Sequence, residues 1–319
     1  MTGRHAFPIS RAAVPSRRRC SPSSVSRAAT GIVMAMVLLL GLPVPRIEAQ
    51  GPVPVVTHLP ATVRAAGLAG VSVALVGDAG TVFVNASGLA TIRHIGIEGM
   101  LSSLPDPARQ AAVSGAVRVG QFHLGIGYQY LEQPPGLALR NNTLWVGSLV
   151  YRFGMFALGA SGKYVAARDS ADVVNRSLAG DFSGTMAFFD IFALAVSIQN
   201  VASSTRSGSD LALPTAGRLG IMMHFVDPQS AGRLMGTVEV VWTDGEARRT
   251  IVGGEAGLVF SGIGVVGRIG YGGQGAATGQ TRFAFGGSLV IHMVNVDYAY
   301  QDRTVFGTPA HRLGIRLSL

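Results

Sequence analysis

From residue 92 onward, apolar residues recur at every second position, in segment after segment of strand length. Phe122, Leu124, Ile126, Tyr128 and Tyr130 share one face, with His123, Gly125, Gly127 and Gln129 opposite; Phe192, Leu194, Val196 and Ile198 stand likewise against Ala193, Ala195, Ser197 and Gln199. The pattern predicts strands at Ile92 to Leu101, Ala111 to Val119, Phe122 to Leu131, Thr143 to Phe153, Met155 to Ala166, Leu178 to Phe188 and Ile191 to Gln199. It continues through Ala216 to Val226, Arg233 to Thr243, Thr250 to Phe260, Ile263 to Gly272, Thr281 to Ile291, Met293 to Gln301 and His311 to Leu319. That makes fourteen, each near the ~9 to 11 residues that carry a tilted strand across a bilayer. No helix-period stretch of comparable length follows residue 91.

The connections sharpen the reading. Short ones (Gly120-Gln121, Gly154, Phe189-Asp190, Asp227 to Gly232, Ser261-Gly262, His292) alternate with longer ones (Ser102 to Gln110, Glu132 to Asn142, Ala167 to Ser177, Asn200 to Thr215, Gly273 to Gln280, Asp302 to Ala310), and only Asp244 to Arg249 is undersized. Outer-membrane barrels place short turns at the periplasmic rim and long loops outside. Phe153, Phe156, Phe188, Phe189, Phe192, Phe225 and Phe260 flank the short turns; Trp145, Tyr164, Trp242, Tyr271, Phe283 and Tyr300 lie toward the long loops. Two aromatic belts at the headgroup levels are thereby expected. The fold class is an all-β membrane protein: an antiparallel transmembrane β-barrel of about fourteen strands with an N-terminal plug segment.

Composition agrees. Charged residues are 13% of the 319, and 43 are glycine, which suits hydrophobicity spread over alternate positions. The net charge of +9 is concentrated at the start: the first 49 residues hold seven basic residues and one acidic, leaving nineteen against sixteen over the rest. With both signs interspersed there, a nucleic-acid partner loses its support. The single cysteine, Cys20, excludes a disulfide framework.

Residues up to Arg27 are rich in Arg, Ser and Pro, and an apolar run from Ile32 to Leu42 follows. Too short to span as a helix, it reads as a secretory signal over residues 1–49, with cleavage after Ala49. The organisation expected is signal peptide 1–49, plug 50–90 and barrel 91–319, with the mature protein in a Gram-negative outer membrane.

The plug candidate is the apolar, glycine- and alanine-rich stretch Arg64 to Ala90. Asp78 can cap a short helical turn through Thr81, Phe83 and Val84, with Gly88 as its stop. The stretch ends Asn85-Ala86-Ser87-Gly88-Leu89-Ala90, and it resembles the opening segment of the PorV/PorQ family, part of the FadL-like group of outer-membrane proteins. The usual ending there is Asn-Pro-Ala-Gly-Leu, so Asn85, Gly88 and Leu89 match while Ala86 replaces the proline. Leu213-Pro214, Arg268 to Tyr271, Asp297-Tyr298-Ala299-Tyr300 and the last strand resemble the family too, although Leu319 stands where a terminal aromatic is usual. That strand implies recognition by the barrel-assembly machinery.

With the apolar face turned to lipid, Glu239, Glu255, Arg268, Arg282, Asp297, Arg312 and Arg316 project into the lumen, where opposite charges are expected to pair and to anchor the plug. Nothing resembles a catalytic constellation: the histidines lack metal-ligand spacing, and the glycine-rich run from Gly272 to Gly279 joins two strands rather than opening a helix. No cofactor is expected. The resemblance implies a non-enzymatic barrel that binds or shuttles exported proteins, as in type IX secretion. The alternative is FadL-like transport of hydrophobic small molecules, with Leu68, Val71, Val73, Leu75, Val82 and Phe83 lining a pocket.

Overall fold

The computed structural model describes residues 53–104, 108–134, 136–188, 191–201, 211, 213–226, 232–273 and 281–319. The expected signal segment therefore lies outside the described residues. So does most of the glycine-rich run.

Fourteen antiparallel strands close into a barrel in simple up-and-down order, β1 pairing with β14. They are β1 (Ile95–Ser103), β2 (Arg109–Val119), β3 (Phe122–Glu132), β4 (Leu139–Phe153), β5 (Phe156–Asp169), β6 (Val174–Phe188) and β7 (Phe192–Gln199). Then come β8 (Ala216–His224), β9 (Gly232–Thr243), β10 (Arg249–Phe260), β11 (Ile263–Gly272), β12 (Phe283–Ile291), β13 (Val294–Gln301) and β14 (Ala310–Ser318). Closure leaves no sheet edge in lipid, the condition for a strand-built membrane protein. The alternation expected from sequence is realised with apolar side chains outward: Ile126 is 60%, Phe182 61% and Ile269 62% exposed, while the intervening residues of these strands face the lumen.

Several boundaries differ from the sequence reading. β1 begins at Ile95 rather than Ile92, because a 3₁₀ turn, Ala86–Thr91, continues to Thr91 and Ile92 stays buried. β4 and β6 start earlier, at Leu139 and Val174, so the two loops before them shorten to residues 133–138 and 170–173. The β10–β11 turn is the tight two-residue kind: Ser261 and Gly262 both have positive φ, 50° and 81°, the geometry that matches the twist of paired strands. Aromatics pair near the short turns (Phe122–Tyr151, Phe153–Phe156, Phe188–Phe192) and toward the long loops (Tyr128–Trp145, Tyr271–Phe283, Phe285–Tyr300).

Residues 55–92 pack inside, against the lumenal face of the wall. They comprise 3₁₀ turns at Val55–Thr57, Ala79–Phe83 and Ala86–Thr91 and one short helix, α1 (Val63–Gly67), capped by the Thr62 hydroxyl accepting from Ala65 N at 3.1 Å. Two expectations for this segment are corrected. Asp78 is the N-cap residue of Ala79–Phe83, but its side chain makes no capping bond, being held by arginines instead. Gly88 does not end that turn, which stops at Phe83; it lies within the next one.

Lumenal glycines explain how the segment fits. A Cβ at Gly270 would lie 2.2 Å from the Leu68 carbonyl carbon, and one at Gly127 2.7 Å from the Phe83 ring. The wall is thus bare of side chains where the inner backbone approaches it. Gly270→Ala, meeting backbone that cannot rotate away, should loosen the segment and lower the melting temperature, whereas Gly267→Ala, whose nearest neighbour is 3.9 Å away, should leave both unchanged. Thermal melts with limited proteolysis of residues 53–92 will check this.

Candidate functional site

Arg64 leaves α1 toward the wall and is enclosed by carboxylates. Its Nε and Nη2 donate to the two oxygens of Glu255 at 2.6 and 2.9 Å, and its Nη1 donates to Asp78 Oδ2 at 2.7 Å. Glu255 also accepts from its cross-strand partner Arg268, Nε at 2.8 Å, and from Arg233, Nη2 at 3.1 Å. Arg268 continues to Asp297 Oδ1 at 3.2 Å and to Ser288, and Arg316 joins Asp297, at 3.4 Å, to Asp78. A second centre lies at Glu239, which accepts from the main-chain N of Ser72 and Val73 at 2.6 and 2.8 Å and from Arg218 Nη1 at 2.7 Å. Between them the two centres tie the inner segment to strands β8 to β14.

Burial alone would raise the Asp78 carboxyl, but Arg316 and Arg64 outweigh it and hold the group well below the usual carboxylate range. The Glu255 and Asp78 charges likewise hold the Arg64 guanidinium above its ordinary value against the opposing effect of burial.

Of the charges expected in the lumen, Glu239, Glu255, Arg268, Asp297 and Arg316 meet in these two centres. Arg312 faces inward and is fully buried, but its neighbours are Gln301 and Gln110 rather than a carboxylate. Arg282 is a correction: it is exposed and precedes β12, so strand alternation does not turn it inward, and its main-chain N bonds Asp302 Oδ1. Sequence reasoning missed Arg64, Asp78, Arg218 and Arg233, as well as the buried pair Lys163–Asp181 at 2.7 Å. A signal for the first two was present, since they are the only charges between residues 64 and 90.

The motif residues Asn85, Gly88 and Leu89 fasten the segment. Asn85 Nδ2 donates to Val73 O at 2.5 Å and Thr185 Oγ1 at 3.1 Å; the Gly88 carbonyl accepts from Gly77 N at 3.1 Å; Leu89 is buried against Gly125.

Cavities lie on both sides of this arrangement. Toward the long loops, one of about 150 Å³ is bounded by Leu59, Leu75, Phe83, Leu144 and Ile251, with Lys163, Arg218 and Arg249 on its polar side. Toward the short turns, another of about 190 Å³ is bounded by Arg64, Arg233, Arg268, Arg316, Asp78 and Asn295. Of the six apolar residues expected to line a pocket, Leu75 and Phe83 border the first cavity; Leu68 and Val73 instead abut the wall at Gly253 and Gly220.

No family profile matches the sequence, and no curated protein matches it. Solved structures do. The toluene transporter TbuX of Ralstonia pickettii shares 11% identity over 86% of this chain and 100% of its own, with a TM-score of 0.55. The toluene transporter TodX of Pseudomonas putida shares 9% over 87% and 99%, at 0.53, and the monoaromatic hydrocarbon channel CymD shares 11% over 86% and 99%, at 0.57. The fold is that of these outer-membrane barrels.

Two outcomes test the site. Glu255→Ala should destabilise by up to about 3–5 kcal/mol, because it removes one of the two carboxylates that each of the buried Arg64 and Arg268 meets, and adding Arg64→Leu should restore part of it. Strict additivity in denaturant melts would contradict the contact. Because the Asp78 carboxyl is depressed, its stabilisation is complete above the ordinary aspartate value of about 3.9 and is lost only as pH falls through the lower folded value. Protease protection of the inner segment should therefore persist at about pH 4, and Asp78→Asn should weaken it already at pH 7.

Proposed function

We propose that the protein carries small hydrophobic molecules across the outer membrane, as a FadL-like barrel in which residues 50–90 form the plug. The observation that carries this reading is the cavity on the long-loop side, about 150 Å³ between inner segment and wall, where Leu59, Leu75, Phe83, Leu144 and Ile251 form an apolar side opposite Lys163, Arg218 and Arg249. A cavity of about that volume is large enough for a benzene-sized molecule. The solved barrels it resembles, described as toluene transporters and a monoaromatic hydrocarbon channel, support the same reading.

In this reading the solute enters from the long-loop side, and Leu59, Leu75, Phe83 and Leu144 hold it by removing its surface from water. It leaves into the periplasm or through the wall. The resemblance to PorV/PorQ proteins would instead make the long loops a docking surface for exported proteins. The comparisons favour transport over that shuttle, and much of the loop Asn200 to Thr215 lies outside the described residues.

Proteoliposome uptake tests the choice. Wild-type protein should accelerate entry of toluene or naphthalene relative to empty vesicles, and Leu144→Trp, which fills the cavity, should reduce uptake several-fold while the barrel still folds. No acceleration, with exported proteins co-purifying from the native membrane, would replace transport by the shuttle.

A further inference from the structure

Arg312 differs from the other buried arginines of the lumen. Arg64, Arg268 and Arg316 each meet two carboxylates; Arg312, 0% exposed, has none within ion-pair distance among the described residues. Its Nη1 donates to Gln301 Oε1 and its Nη2 to Gln110 Oε1 at 3.5 Å. Both amides are committed on their other side, Gln301 Nε2 to Thr281 Oγ1 at 2.9 Å and Gln110 Nε2 to Pro60 O at 3.0 Å, so they can offer oxygen but no charge. Arg312 Nε has no protein acceptor. On β1 its direct cross-strand partner is Ser102, whose buried hydroxyl also lacks a protein partner. On β13 the neighbour opposite is Ala299, whose methyl offers the guanidinium no acceptor. A cation taken out of water without a counter-charge is strongly disfavoured, and two orphan donors on register-paired residues of adjacent strands mark where that charge belongs.

We propose that a small inorganic anion, chloride in the cell envelope, is bound between Arg312 Nε and Ser102 Oγ. Charge compensation selects an anion over water, and complete burial selects a monatomic one. Gln301 borders the long-loop cavity and gives the ion its route in. Once bound, the anion steadies the line from Arg312 through Gln301 to Thr281, whose carbonyl accepts from Arg249 at 2.5 Å, and with it one wall of that cavity.

The test uses the mature protein in lipid or detergent, with chloride exchanged for gluconate at constant ionic strength. Raising chloride from none to about 0.3 M should lift the wild-type melting temperature saturably by at least about 2 °C, as expected of a ligand that binds only the folded state. Ser102→Ala should weaken this dependence and Arg312→Gln abolish it. Crystals grown in bromide should show an anomalous peak within hydrogen-bond reach of both atoms. If Arg312→Gln does not fold, Ser102→Ala and the bromide data decide alone. Equal chloride dependence in wild type and variants, or a site occupied by water only in bromide, would overturn the proposal.

Discussion

The bidentate contact of Arg64 with Glu255 is the interaction on which the interior depends. It joins a residue of the inner segment to one on β10, 191 positions later, and both are withdrawn from water. Such a pair adds little net stability over an apolar replacement of the same shape, because desolvation opposes the attraction. What it enforces is uniqueness. Any other seating of the segment leaves two or more buried charges without partners, so the apolar surface around Leu68 and Val73 is committed to one position although its packing alone would tolerate several.

That commitment has a geometric counterpart in the wall. Strands of β-branched and aromatic residues normally carry side chains on both faces, yet here Gly270, Gly127 and Gly125 leave the lumenal face bare where Leu68, Phe83 and Leu89 arrive. A barrel of this size is wider than its own side chains fill and narrower than an open pore. Glycine opposite the inner segment and charge opposite the gaps between its turns divide the lumenal surface between them.

Much of this was legible in the chain. Period-two alternation identified all fourteen strands and their outward faces, because lipid on one side and polar interior on the other impose a two-residue period on the ladder. Alternation also placed Glu239, Glu255, Arg268, Asp297 and Arg316 in the lumen. It failed at Arg282, which has the right parity but precedes the strand, and parity has no meaning outside a ladder. The partners supplied by the inner segment were not legible, since a segment without period gives no direction to Arg64 or Asp78. Asp78 fits a helix cap by local pattern, but two nearby guanidinium groups offer the carboxylate charged donors, which outcompete the neutral amides of the turn. Pairing register, and hence which acid meets which base, depends on how the barrel closes.

The same charges bear on the route a hydrophobic solute would take. Between the long-loop cavity and the arginine-rich cavity toward the short turns stand Arg64, Asp78, Glu255 and Arg316, all buried and mutually bonded. A solute can displace the segment only to the extent that it binds the displaced form better, and a molecule of about seven heavy atoms has at most ~1.5 kcal/mol per atom in total to contribute. Orphaning several buried charges at about 3–5 kcal/mol each would consume that amount or more. Axial passage with the network pulled apart is therefore disfavoured for an uncharged solute. Two routes are compatible with the energetics: a concerted shift in which Arg64 keeps a carboxylate throughout, or a path between inner segment and wall that leaves the ion pairs in place. The second has to part Leu68, Phe83 and Leu89 from Gly270, Gly127 and Gly125, on which they pack directly, and so costs apolar contacts rather than buried ion pairs.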